Sequence, residues 1–261
     1  MIDGKKIAVT VPAYNESKLI RAAVLSIPEF VDVVIVVDDA GTDDTASQVP
    51  SHHFGRPVVL VRHPKNLGVG AAIATGYKTA LSISADIVVV MAGDAQMDPA
   101  DLSFLLSPVL RGEADYAKGD RLAWPGVSKA MPWSRFIGNH VLSVLTRLAS
   151  GYTHVRDSQC GYTAVTADSL SRIDLDALYP RYGFPNDMLA KLHAISARVV
   201  NVPVRPIYGE EVSGISLYTA MVRVPRVLFR SMLWRWKAER STALLPSATT
   251  VNAPSLEPAD N

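Results

Sequence analysis

Short valine- and isoleucine-rich runs alternate with segments of helical spacing along the N-terminal third of the chain. Residues 6–11, 33–37, 58–61 and 87–91 are apolar and β-branched. Between them, residues 17–27 place Leu19, Ile20, Ala23, Val24 and Ile27 at helical intervals, and residues 67–84 are alanine-rich. Near-continuous β-branched strands separated by helices belong to a parallel sheet covered on both faces. The expected class is therefore α/β, a Rossmann-like, mostly parallel sheet flanked by helices. With 261 residues, 48% of them hydrophobic, the chain can fill the core of such a domain and is not globally disordered.

Beyond Asp120 the pattern is less regular. Residues 134–149 and 186–194 read as helices, and 163–166 and 198–204 as strands. Residues 217–237 read as a helix that Pro225 breaks or kinks. The Ser-, Thr-, Pro- and Ala-rich stretch 246–261 reads as a disordered tail. The expected organisation is a main domain over 1–216, an amphipathic helix over 217–240 and a tail over 241–261.

Several function classes fall away. Lys+Arg 26 against Asp+Glu 25 gives a net charge of +1, which excludes a nucleic-acid partner held by bulk charge. One cysteine, Cys160, excludes a disulfide scaffold and a Cys-cluster zinc site. The six histidines have no metal-ligand spacing beyond the pair His52-His53 and read as structural or exposed. No apolar stretch approaches the ~18 residues that cross a bilayer, and residues 1–6 run straight into a strand without a signal-peptide core. The expectation is a soluble or peripheral protein.

In open α/β sheets, ligands bind outside the carboxyl ends of the strands. Three such ends are polar: Pro12-Ala13-Tyr14-Asn15-Glu16, Asp38-Asp39-Ala40-Gly41-Thr42-Asp43-Asp44-Thr45, and Gly93-Asp94-Ala95-Gln96-Met97-Asp98-Pro99. Acidic groups converging at one sheet edge repel unless a cation or a donor-rich ligand sits among them. A nucleotide base supplies donors for Asp39, and a diphosphate with a divalent metal suits Asp94. The plainer roles are a turn for Asp38-Asp39 and a helix cap at this third end, for which Asp98-Pro99 is the better candidate. Gly68 and Gly70 do not make a dinucleotide fingerprint, because the third glycine is misplaced and the preceding strand is not the first.

These three segments, with Asn66-Leu67-Gly68-Val69-Gly70-Ala71 opening a helix, resemble the inverting GT-A glycosyltransferases of family 2. The resemblance runs from about Lys6 to Ser216. Further on stand Gly119-Asp120-Arg121, Arg135 and Asn139 at i, i+4, Asp157-Ser158-Gln159-Cys160-Gly161-Tyr162, Phe184-Pro185-Asn186-Asp187-Met188 and Tyr208-Gly209-Glu210. That series resembles the polyprenyl-phosphate (dolichol-phosphate) mannose synthases.

By that resemblance the donor is a nucleotide sugar, GDP-mannose first and UDP-glucose second, and the acceptor is a polyprenyl monophosphate. The donor site takes Pro12, Ala13, Tyr14, Glu16, Val37, Asp39, Gly93, Asp94, Ala95 and Arg121. The metal, Mg²⁺ or Mn²⁺, falls to Asp94 and Gln96. Arg121, Arg135 and Asn139 hold the acceptor phosphate, and Asp187 faces the reacting sugar, so that Asp94, Asp187 and Arg121 are the catalytic set. Two departures stand out. The family's second acidic residue before Asp94 is Ala92 here, and the basic residues around Tyr208-Gly209-Glu210 are replaced by Pro206 and Val212.

The residue types suit this chemistry in their own right. Asp and Gln are hard oxygen ligands for a cation that neutralises a diphosphate leaving group. A phosphate acceptor is already anionic, so it needs arginine rather than a base. Two alternatives stay open. One is a hydroxyl acceptor deprotonated by Asp187. The other is a weakly catalytic nucleotide-sugar binding module, suggested by Ala92. Finally, residues 221–240 carry six basic side chains and one acid among Trp, Phe, Leu and Val, the composition of an interfacial helix. The expected location is the cytoplasm, peripheral to the membrane face.

Overall fold

In the computed structural model the valine- and isoleucine-rich runs join one eight-stranded sheet with helices on both faces. The structure describes residues 1–127, 131, 133–207 and 224–243, without the side chains of 133–135, 224–225 and 237–243. The strands are β1 (Ile7–Ala13), β2 (Val33–Asp38), β3 (His52–His53), β4 (Arg56–Arg62), β5 (Ile87–Val90), β6 (Tyr116–Asp120), β7 (Thr163–Thr166) and β8 (Val199–Pro203). Their order is β3-β4-β2-β1-β5-β7-β6-β8. β1 lies inside the sheet, parallel to both β2 and β5, and all of it is buried. β7 enters antiparallel between β5 and β6, and β8 closes the edge parallel to β6.

The helices are α1 (Ile20–Ser26), α2 (Thr45–Gln48), α3 (Val69–Ser82), α4 (Leu102–Leu110), α5 (Trp133–Ser150), α6 (Ala167–Ser171), α7 (Phe184–Ala194) and α8 (Val224–Ala243). Two large apolar cores lie against the sheet, and a small one, Ala149 and Leu228 with Leu142 and Met232, lies between α5 and α8. One large core gathers Tyr77 of α3 and Met188, Leu189 and Leu192 of α7 against the sheet; the other gathers Ile20 and Val24 of α1 with Leu102, Leu105 and Leu106 of α4. A fully buried leucine contributes about 1.5–3 kcal/mol. Gly76 lets α3 press onto β1, since a Cβ there would collide with Thr10. α5, α7 and α8 pack on one another.

Several elements depart from the sequence reading. β4 is half-exposed rather than buried on both faces, because only the two residues of β3 lie beyond it. β6 and α4 were not anticipated: β6 hides Lys118 and Asp120 in a fully buried strand, and α4 carries Pro108 in its interior. Pro225 is the second described residue of α8, and the stretch before it, on which the expected break or kink depends, lies outside the described residues. Residues 217–223 and the 246–261 stretch lie outside the described residues. No helix among the described residues is long and apolar enough to cross a membrane.

Candidate active site

β1, β2 and β5 are parallel neighbours, so their carboxyl ends open on one edge. The loop after each carries a left-handed non-glycine residue: Asn15 at φ 58°, Ala40 at φ 58° and Ala95 at φ 57°. Such backbone costs about 1–3 kcal/mol and persists only where its surroundings hold it. Here they do. Asn15 Oδ1 accepts from Thr42 N at 2.7 Å, and Asp38 Oδ1 accepts from Gly41 N at 2.9 Å. Thr45 Oγ1 accepts from Glu16 N at 2.7 Å, and Asp43 accepts from the Ser17 and Thr45 amides. Burial would raise the Asp43 carboxyl, but hydrogen bonds from Thr45 and Ser17 outweigh it and hold it well below the usual carboxylate range. The first two loops are thus stitched into one support.

That support borders a cavity of about 520 Å³. Pro12, Ala13, Tyr14, Glu16, Asp39, Gly93 and Asp94 line it, as expected, together with Asn66, Gly68, Ala92, Arg181 and Tyr182. Asp39 is buried and accepts three hydrogen bonds: from Leu67 N at 2.9 Å, from Gly68 N at 2.7 Å and from His63 Nδ1 at 2.6 Å. His63 Nε2 in turn lies 2.9 Å from Thr75 Oγ1. Asp39 therefore anchors the start of α3 as well as lining the cavity. Val37 is a correction. It is fully buried in the core and is not among the lining residues, because in a strand covered on both faces its side chain points into packing.

A second cavity, of about 280 Å³, is lined by Asp94, Gln96, Arg121, Gln159, Tyr162 and Arg205 among others. The two cavities share Val69, Asp94 and Tyr182. Arg121 is held by Asp157, with Nε to Oδ2 at 2.7 Å and Nη2 to Oδ1 at 3.0 Å. Burial alone would raise the Asp157 carboxyl; the Arg121 charge and hydrogen bonds outweigh it and keep it below the ordinary value. Lys118, fully buried, donates to Cys160 O at 2.6 Å, and burial lowers its ammonium. Burial raises the Cys160 thiol, which matches its reading as a packed residue rather than a nucleophile. Asp98 caps the turn after Pro99, accepting from Ala100 N at 3.0 Å.

Asp94 Oδ1 accepts from the backbone N–H of Gln96 at 3.0 Å, and both residues line the smaller cavity. Among the described residues no three of His, Cys, Asp and Glu cluster as a cage. Asp94 lines both cavities and Gln96 the smaller one, and a carboxylate with an amide oxygen is a donor set that suits a hard cation completing its shell with diphosphate oxygens and water.

Other expectations are not met. Asp187 does not face either cavity. It is buried in the first turn of α7, where Oδ2 accepts from Tyr179 N at 2.9 Å and Oδ1 accepts from Ser231 Oγ at 3.1 Å. The turn before α7 and the helix α8 occupy the carboxylate that the sequence reading turned toward the sugar. Ala95 is exposed beside the cavities rather than lining them; its left-handed backbone shapes the turn. Asn139 lies on α5 with Nδ2 at 3.7 Å from Met131 Sδ and lines neither cavity. The Arg135 side chain and residues 208–212 lie outside the described residues.

The sequence reading missed Arg181 and Tyr182, which stand in the larger cavity. Arg181 Nη1 donates to Asn66 Oδ1 at 3.2 Å across its rim. Their signal was a turn, Pro180-Arg181-Tyr182-Gly183, just ahead of the Phe184–Asp187 motif. It also explains the glycines of the Asn66–Ala71 motif. A Cβ at Gly68 or Gly70 would collide with the carbonyl oxygens of Pro180 or Tyr179, so only glycine lets this turn lie on the start of α3.

The profile of glycosyl transferase family 2 matches residues 8–174. The chain is 30% identical over 220 residues to the UDP-N-acetylglucosamine–dolichyl-phosphate N-acetylglucosaminyltransferase of Methanococcus voltae, over 79% of this chain and 87% of that protein. It is 30% identical over 247 residues to the undecaprenyl-phosphate mannosyltransferase of Micrococcus luteus, over 90% of this chain and 98% of that protein. Among solved structures, glucosyl-3-phosphoglycerate synthase from Mycobacterium tuberculosis, in complex with Mn²⁺ and UDP-glucose, matches with a TM-score of 0.64 at 24% identity. That match covers 88% of this chain and 79% of that one, and it speaks to the fold.

Proposed function

The chain belongs to glycosyl transferase family 2 and is a glycosyltransferase of GT-A fold, and we propose that it moves a hexose from a nucleoside diphosphate sugar to the phosphate of a polyprenyl monophosphate. One observation carries this reading: a larger and a smaller cavity meet at a wall formed by Asp94, Val69 and Tyr182. Two substrates that exchange a group need two compartments with one junction. The relatives named above act, by their names, on dolichyl and undecaprenyl phosphates, and their sugars differ. Mannose from GDP-mannose is the first donor to assay, with UDP sugars beside it.

In this reading the nucleoside diphosphate occupies the larger cavity. Pro12, Ala13, Tyr14 and Glu16 form one wall, and Asp39 keeps the start of α3 in place while offering its carboxylate to the base. Asp94 and Gln96 would hold Mg²⁺ or Mn²⁺ for the diphosphate. When bound, that ion neutralises charge developing on the leaving group. Arg121, fixed by Asp157, presents a guanidinium at the smaller cavity to the acceptor phosphate. The acceptor oxygen attacks as the anion, so no base is required. The buried, doubly bonded Asp187 fits this better than the hydroxyl-acceptor alternative, which needs it as a base.

A lipid acceptor calls for a surface that meets the membrane. Ile137, Val141, Val144, Leu145 and Leu148 make an exposed stripe along α5, with Leu148 68% exposed. On α8, Phe229, Leu233, Trp234 and Trp236 are exposed, and so are Arg226 and Arg230. Two packed helices with apolar stripes and arginines have the composition of an interfacial anchor, and we assign them the docking of the enzyme beside its acceptor.

Calorimetry with UDP and GDP, each with and without Mn²⁺, tests the donor site. One nucleotide should bind, more tightly with the ion, and Asp94→Ala should remove the dependence on the ion. Equal affinity in EDTA, or for Asp94→Ala, overturns the metal assignment.

A further inference from the structure

Asp187 has no role in the transfer chemistry described above, yet it sits at a junction. Its Oδ2 accepts from Tyr179 N at 2.9 Å, and its Oδ1 accepts from Ser231 Oγ of α8 at 3.1 Å. Tyr179 begins the turn that carries Arg181 and Tyr182 into the larger cavity. The turn is pinned at its middle, where Ala71 N donates to Pro180 O at 3.0 Å, and at its end, where Phe184 N donates to Arg181 O at 3.0 Å. Asp187 pins its start by a hydrogen bond, and the Arg230 guanidinium lies over the Tyr179 ring at 5.5 Å. Arg181 itself reaches Asn66 with Nη1 to Oδ1 at 3.2 Å.

We propose that Asp187 is a positioning residue for donor binding: it fixes the 179–183 turn so that Arg181 and Tyr182 stand in the nucleotide cavity, and Ser231 of α8 fixes Asp187. The proposal rests on reading the larger cavity as the nucleotide site. Arg181 is the group through which the effect is felt, because a guanidinium at that wall is a hydrogen-bond donor and charge partner for a nucleoside diphosphate. A carboxylate needed only to accept from Tyr179 N and to meet Ser231 is replaceable by an amide: the amide oxygen takes the first bond, and its N–H donates to the Ser231 hydroxyl.

The test is calorimetry with UDP and GDP, each with Mn²⁺, on wild type, Asp187→Ala, Asp187→Asn, Arg181→Ala and the double alanine variant. Asp187→Ala and Arg181→Ala should each weaken the better nucleotide by about tenfold, the scale of one charge-assisted hydrogen bond. Asp187→Asn should recover most of that loss. The double variant should bind no worse than Arg181→Ala alone, since the two act through one contact. Where Asp187→Ala fails to fold, Ser231→Ala replaces it, with a smaller loss in the same direction. Affinity unchanged in Asp187→Ala or Ser231→Ala, or losses that add in the double variant, overturn the proposal. So does an Asp187→Asn variant that keeps nucleotide affinity and loses turnover, which would return the carboxylate to the chemistry. Wild type that binds neither nucleotide overturns the donor-site reading itself, and this proposal with it.

Discussion

Buried carboxylates do different jobs, and their partners distinguish them. Asp38 ties a turn and meets Arg62 at 3.1 Å; Asp39 holds the start of α3; Asp157 holds Arg121; Asp187 holds the 179–183 turn. A sequence displays the acids and not their partners, so the place of Asp39 beside the cavity was legible while its three internal donors were not. For the same reason Asp187 was drawn facing the sugar. The Arg121–Asp157 pair makes a prediction at this scale. Removing one partner of a buried pair costs about 3 kcal/mol, so Asp157→Ala should unfold at lower urea at pH 7. Against burial, the Arg121 charge and hydrogen bonds hold the folded Asp157 carboxyl below the ordinary carboxylate value. Its contribution is therefore fully present above the unfolded value and is lost as pH falls through the folded one. The gap between wild type and variant should persist down to about pH 5 and narrow below about pH 4. A gap equal at pH 7 and pH 3.5 would contradict this assignment.

Among the elements, those with a clean apolar period were legible: β1, β2, β5, β7, α3, α5 and α7 all lie where the pattern put them. β6 was hidden because Lys118 and Asp120 break its apolar run, and what makes them tolerable is distant in sequence: Cys160 O receives the lysine, and Ala123 N meets the aspartate. The direction of β7 was hidden too, since strand composition does not encode the neighbour's sense. Glycines separate the helices in a way that can be measured. Gly70 of α3 faces Tyr179 O and the Phe184 side chain, whereas a Cβ on Gly138 of α5 meets nothing within 4 Å. Gly138→Ala should raise stability by up to ~1 kcal/mol through helix propensity. Gly70→Ala gains the same propensity but forces two backbones apart, a cost of about 1–3 kcal/mol, and should lower the melting temperature. Thermal melts of the two variants decide it; shifts of the same sign would contradict the packing described for the 179–183 turn.

For the whole molecule, the sheet edge borders the larger cavity and the α5–α8 pair presents apolar stripes with arginine. The basic, aromatic character of α8 was legible from composition, whereas the contribution of α5 was not, because its stripe could equally have faced a core. Vesicle co-sedimentation should find binding to anionic vesicles that weakens with salt, at about 1 kcal/mol per basic residue near the surface. Arg226→Glu/Arg230→Glu should reduce that binding. Equal binding to neutral and anionic vesicles, or the same binding by the variant, would reject electrostatic docking.

The acceptor is the centre of the account, and a transfer assay addresses it directly. Purified enzyme with Mn²⁺ is given labelled GDP-mannose, UDP-glucose or UDP-N-acetylglucosamine, together with a polyprenyl monophosphate or the corresponding polyprenol. Label should move from one donor into the lipid phase with the phosphate, and not with the alcohol, and Asp94→Ala should abolish the transfer. Transfer to the polyprenol as fast as to its phosphate, or none to the phosphate from any of the three donors, would contradict the assignment of a polyprenyl monophosphate acceptor.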